Sequence, residues 1–226
     1  QGVDMSDHAV PKGVSLETLM EILSGWAAVG GARESHYTVD VEDHTGIRDA
    51  VGRQNAFFEE LGLLEPDGQK HRLTETGAGV AGPLVVADEK RAAEVIRPVL
   101  ESWPPTEEIR GLVRGNPMTE EELVPLIAAA TGQNSETSRI HTGIRTVLEL
   151  LEWADLLEQN DEGRYCTPES DITSSVPTTE TEATVKDGEQ TASEPEARPE
   201  AVLDADLQAA TEAADPSEPS AGIDSE

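Results

Sequence analysis

FFEELGLLEPDGQKHRLTETG, residues Phe57 to Gly77, carries three conformational instructions in succession. Phe57, Phe58 and Leu61 fall at helical spacing and read as the apolar face of a closing helix, with Leu63 as further core. Pro66-Asp67-Gly68 is a turn, because Pro presets φ and Gly accepts a positive φ. Lys70 to Thr74 returns as a strand, and Leu73 to Gly77 leads into a small helix. A helix that feeds a short hairpin and leaves it for another helix predicts a mainly α fold with small β-hairpins, an α+β class.

Upstream, Ser15 is placed as an N-cap, and Leu16, Leu19, Met20, Leu23, Trp26 and Ala27 recur at helical spacing until Gly30-Gly31. Tyr37, Val39 and Val41 alternate with polar residues and predict a short strand. A helix is then expected from about Asp43 to Leu61. Downstream, a helix from Asp88 to Trp103 contains Pro98, expected to kink it. Pro104-Pro105 should stop it, and Thr106 should cap a short helix to Arg114. Thr119 and Glu122 form a capping box for a helix ending at Gly132. After the turn Gln133-Asn134-Ser135 a longer helix runs to about Trp153, with the stripe Val147, Leu148, Leu150, Leu151 and Trp153 as core. Ala154 to Glu158 (ADLLE) reads as a strand, Asp161-Glu162-Gly163 as a turn, and Arg164 to Thr167 as its return.

The two halves therefore share a grammar, and they also share the pentapeptide HTGIR, at His44–Arg48 and His141–Arg145. The pentapeptides are 97 residues apart and the Leu-Leu pairs, Leu63-Leu64 and Leu156-Leu157, are 93 apart. An internal duplication with an indel of about one helical turn is expected.

Composition sets the physical setting. Forty-six acids against 16 basic residues give a net charge of −30, and the bases are 12 Arg but only four Lys. Such a chain suits a halophile, where molar salt screens self-repulsion over roughly 3 Å. One cysteine, Cys166, excludes an intrachain disulfide and fits a reducing cytoplasm. No charged-then-apolar leader opens the chain and no apolar run approaches a bilayer span, so a cytoplasmic protein with no membrane partner is expected. Gln1 to Asp4 precede Met5 and are given no fold meaning. Residues 169–226 hold 16 acids, two bases and no aromatic residue, and too little apolar surface to offset chain entropy.

Phe57 to Gly77, seen with its upstream helices, resembles the wing of the winged helix-turn-helix superfamily, including marR-type regulators. The span 15–167 is similar to an uncharacterised prokaryotic, haloarchaeal-type family of paired winged-helix proteins. In that family a GLL…LT-x-x-G wing precedes an EKR-type helix, here Glu89-Lys90-Arg91, and a second unit ends in WADLLE. The resemblance implies a fold that is mainly α with small β-hairpin wings. Its expected parts are a flexible N-terminus at 1–14, a first winged-helix-like unit at 15–84, a second unit at 85–168 and a disordered acidic tail at 169–226. About a dozen residues separate the first helix from the next, which leaves little room for the usual middle helix of the first unit.

Catalytic signatures are missing from the sequence. Gly77-Ala-Gly-Val-Ala-Gly82 matches the dinucleotide fingerprint in letters, but a polar strand precedes it and Pro83 follows, so it reads as a helix of small residues. There is no Walker-type loop, the five histidines are scattered, and Cys166 reads as a small half-buried hydrophobe. No enzyme, cofactor or metal is expected. The nucleic-acid signal is local: within 133–146 the sole acid is Glu136, beside Gln133, Asn134, Ser135, Ser138, Arg139, Thr142 and Arg145. These types read base edges or phosphates when set at the start of a recognition helix. Arg48, Arg53, Lys70 and Arg72 form a weaker set in the first unit. The expected function is a DNA-binding regulator engaging double-stranded DNA, with a homodimer compatible. The alternative is a protein-interaction module without DNA contact, to which the amphipathic stretch Pro199–Ala214 could add a site for a protein partner.

Overall fold

Ser15 opens the first helix by accepting a hydrogen bond from the Thr18 amide, and the chain then runs α1 (Leu16–Ala28), α2 (Thr38–Thr45) and α3 (Val51–Glu60). A hairpin of β1 (Leu64–Asp67) and β2 (Lys70–Leu73) follows, with Leu64 opposite Leu73 and Glu65 opposite Arg72. Next come α4 (Glu75–Val85), α5 (Glu89–Ser102), α6 (Pro104–Val113), α7 (Glu120–Ala130) and α8 (Ser138–Trp153). The hairpin β3 (Glu158–Gln159) with β4 (Tyr165–Cys166) closes the series. This computed structural model describes residues 8–134 and 136–168. The described residues are thus mainly helical, with eight helices and two small antiparallel hairpins, and they belong to one compact unit. The expectations for Gln1–Asp4, the tail 169–226 and the segment 199–214 lie outside them.

The same order of elements occurs twice. In the first run α1 is followed by a lone bridge between His36 and His71, then α2, α3 and the β1–β2 hairpin. In the second, α6 is followed by a bridge between Met118 and Tyr165, then α7, α8 and the β3–β4 hairpin. Each bridging residue lies two positions before its helix and pairs with the returning strand of its hairpin.

Several local expectations are corrected. Tyr37 to Val41 is no strand: it opens α2, because the Asp40 carboxylate accepts the Tyr37 amide and Gly46 (φ 76) terminates the helix. Val41 is buried while Tyr37 and Val39 are exposed, so they share no strand face. The single helix expected over 43–61 is two elements broken at Gly46–Ala50, and the middle helix for which room seemed lacking is α2. α5 ends at Ser102, before Pro104-Pro105 as expected, but the two prolines also begin α6, since the first helical positions need no amide hydrogen; Thr106, expected to cap that helix, is buried inside it. ADLLE is mostly a turn, with Asp155 at φ 57, and pairing starts only at Glu158.

The two HTGIR copies occupy different structures. His44 and Thr45 end α2 and Gly46 reverses the chain, whereas His141–Arg145 lies inside α8. The 93-residue offset is the structural one, for both Leu-Leu pairs stand at the start of a hairpin.

Residues 8–14, expected within a flexible N-terminus, form a packed strap. Val10 and Val14 are buried. The Glu60 carboxylate accepts from the Ala9 amide, pairs with His8 at 2.6 Å and accepts from the Trp103 indole at 2.6 Å. Gln54 of α3 holds the backbone of Lys12 at both its N–H and its C=O. On the other side, the Gly13 amide donates to the Arg139 carbonyl and the Thr146 hydroxyl to the Val14 carbonyl. The strap thus lies between α3 and α8.

Candidate nucleic-acid interface

The second-unit candidates gather at the start of α8. Gln133 is half-buried and its amide closes α7 on the Ala128 carbonyl, at 2.8 Å. Asn134 is exposed, and its side-chain oxygen accepts the Glu136 amide, at 2.9 Å. Ser135 lies outside the described residues. Ser138, Arg139, His141 and Arg145 are exposed; Thr142 is half-buried and its hydroxyl donates back to the Ser138 carbonyl, at 2.9 Å. Arg145 Nε lies 2.7 Å from Glu120 of α7, so one of the two arginines is already neutralised. Arg139 has no ion pair among the described residues, and its stem lies against Gly13 of the strap. Farther along α8, Glu149 and Glu152 are half-exposed, so the acid-poor surface is limited to the first two turns.

The first-unit candidates are more dispersed. Arg48 is exposed between α2 and α3, 3.7 Å from Asp43. Arg53 is half-buried, with an Nε that is buried and has no hydrogen-bond partner among the described residues. Its polar neighbours in sequence, Gln54 and Asn55, are buried: Gln54 holds the strap and the Ala50 carbonyl, and Asn55 reaches Thr38. They are scaffold groups, not groove readers. Arg72 pairs with Glu65 directly across the hairpin. Lys70 Nζ stands 4.8 Å above the Tyr37 ring, a cation–π contact that ties the hairpin to the start of α2. His71 is held by Glu59 at 3.1 Å and packs edge-on to Trp26.

Lys12 is the residue that sequence reasoning missed. It is exposed on the strap, between the Gln54 and Arg139 attachments. The signal was the pair Val10 and Val14 around Pro-Lys-Gly, a buried–exposed–buried rhythm.

The helix starts differ in charge. Among the eight described helices, six open with an acid in the first turn, as expected for carboxylates near a positive dipole end. The two that do not are α3 and α8, which also lack a side-chain cap, and they are the third helix of each repeated run. Among the described residues no group of three or more His, Cys, Asp or Glu is arranged to hold a metal ion, and no helix is long and apolar enough to cross a membrane. No known protein family matches the chain, and no curated protein or solved structure matches it.

Proposed function

We propose that the chain is a non-catalytic double winged-helix protein of a halophile's cytoplasm that binds double-stranded DNA, as a regulator, through α8. The runs α1–α2–α3–hairpin and α6–α7–α8–hairpin are the two units, with α3 and α8 as recognition helices. One observation carries the reading. In a chain of net charge −30, acids are withheld from the first turns of these two topologically equivalent helices, while the other six described helices have them. A helix start with no acid in its first turn and no side-chain cap leaves its first amides, those before Ile140 in α8, and its positive dipole end open to a phosphate, with Glu136 as the one acid nearby. Arg139, Arg145, Ser138 and Asn134 then supply contacts to phosphates and base edges. At molar salt counterion release contributes little, so direct hydrogen bonds must carry the complex.

The test is fluorescence anisotropy of a labelled duplex at stepped KCl. Each arginine contact contributes about 1–3 kcal/mol, so Arg139→Ala with Arg145→Ala should weaken binding by tenfold or more. Unaltered affinity, or no binding at any salt, removes the proposal. The pairs Arg145–Glu120 and Arg72–Glu65 favour a second reading, in which the same face contacts a protein and not DNA. A chain that fails to bind duplex yet remains folded would support it.

A further inference from the structure

A hollow of about 510 Å³ lies at the opposite end of α8 from its first turn, floored by Leu16, Met20, Leu84, Ala87 and Trp153. Its rim carries Glu17, Glu21 and Glu89 and no basic residue. None of these three carboxylates has an ion pair among the described residues. Trp153 also lines an adjoining hollow of mixed charge, with Ala93, Ala154, Lys90 and Arg97 beside Glu94 and Asp155, so the wholly acidic rim belongs to the first hollow alone; Trp26 and Trp103, by contrast, are buried in the core. Next to Leu84 the chain exposes Val85 and Val86, the latter 74 % accessible. They end α4 at a fixed turn: Ala87 is left-handed at φ 57, and the Asp88 amide returns to the Pro83 carbonyl, at 2.9 Å.

We propose that this hollow docks a basic amphipathic helix of a partner protein. Leu16 and Met20 fall four residues apart along α1, followed at the same spacing by the small polar Ser24, and Glu17 and Glu21 form a parallel row one position on. An apolar row bordered by an acidic one is what a helix with an apolar face and Lys or Arg four residues apart along one border would complement. Leu16 to Ser24 spans roughly 12 Å, about two turns of the incoming helix, with Leu16 and Met20 as its apolar first half. Charge decides the occupant. The chain's own residues 169–226, with 16 acids and two bases, would meet like charge at this rim. A second copy would bring its own Glu17 and Glu21 to a shared two-fold interface. The site is independent of the DNA reading, because α8's 16 residues hold the two surfaces roughly 24 Å apart.

The experiment uses the full chain and three synthetic helices of about five turns: one with a Leu face and Lys border, one with Leu replaced by Ser, and one with Lys replaced by Glu. Isotope-labelled protein reports the site through the Trp153 indole and Met20 methyl signals. The Leu/Lys helix should bind saturably and move those two signals, and the Ser/Lys helix should not. Met20→Lys should weaken binding at least tenfold. Glu17→Lys with Glu21→Lys should do the same and should gain binding to the Leu/Glu helix, with circular dichroism confirming that both variants fold. Equal binding of the Ser/Lys helix, signals moving elsewhere, or affinity untouched by the charge reversal overturns the proposal. A free protein that sediments as a dimer and is dissociated by Met20→Lys assigns the face to a second copy and also overturns it.

Discussion

Gly143→Ala separates helix propensity from the strap by the sign of its effect. Gly143 lies inside α8, where exchanging Gly for Ala stabilises an isolated helix by about 1 kcal/mol. Here a Cβ would stand 1.8 Å from the Pro11 carbonyl oxygen and 2.9 Å from its carbon. The strap must retreat by about 1 Å or more to reach van der Waals contact. That retreat pulls on the Gly13–Arg139 and Thr146–Val14 hydrogen bonds and on the Gln54 clasp of Lys12. Leaving the buried Gln54 oxygen unpaired costs about 1–3 kcal/mol. Re-exposing Val10 or Val14 costs up to about 1.5–3 kcal/mol for each side chain. Thr146 loses less, because its hydroxyl also reaches the Thr142 carbonyl. With partial displacement and the propensity gain subtracted, the variant should be less stable by about 2–4 kcal/mol, a large share of a fold stable by about 5–15 kcal/mol. Urea denaturation at fixed molar KCl measures it. Equal or greater stability would refute the packed strap. The glycine at the same place in the other pentapeptide is the control. Gly46 sits at φ 76, and a Cβ there would meet nothing within 4 Å, so Gly46→Ala should cost only about 1 kcal/mol of backbone strain.

Three other outcomes follow from the structure. The melting temperature should rise between dilute and molar KCl, because residues 1–168 alone carry 30 acids against 14 bases; a flat response removes the halophile reading. Ala87→Gly should stabilise by about 0.5–1 kcal/mol, the relief of a left-handed alanine less the entropy gained by the unfolded chain, read by the same urea titration. Burial, with Glu152, Glu120 and Glu149 nearby, pushes the Tyr165 hydroxyl up from 10.0 to about 12. The raised folded value means that its share of stability is intact below pH 10 and is lost as pH climbs toward about 12. Tyrosinate absorbance should show one late-titrating group that Tyr165→Phe removes.

The sequence made some elements legible and concealed others for physical reasons. The α1 cap at Ser15, the Thr119–Glu122 box and the buried row Val147, Leu148, Leu150 and Leu151 are local or periodic signals, and each stands in the fold as read, whereas Trp153, read as core with that row, is only half-buried. Tyr37-x-Val39-x-Val41 misled because three alternating residues fit a strand or one turn of helix equally well. The deciding groups, Asp40 and Gly46, act through the backbone. HTGIR misled because five residues do not fix a conformation: Gly46 ends a helix, while Gly143 admits another segment's carbonyl. For the site, the acid-poor stretch at 133–146 was visible as composition. The loss of Gln54 and Asn55 to the scaffold, and the neutralisation of Arg145 and Arg72 by Glu120 and Glu65, depend on neighbours distant in the chain or across a hairpin.

The strap also imposes an order on synthesis. Val14 and Thr146 are joined across 132 residues of chain. At about 5–20 residues per second, Val10 and Val14 are made roughly 7–26 seconds before their seat on α8 exists. During that interval α1–α3 and the first hairpin can assemble, but half of the strap's binding site has yet to be synthesised. The strap can therefore seat only once α8 has been made, and any factor that holds residues 8–14 early would delay their packing between α3 and α8.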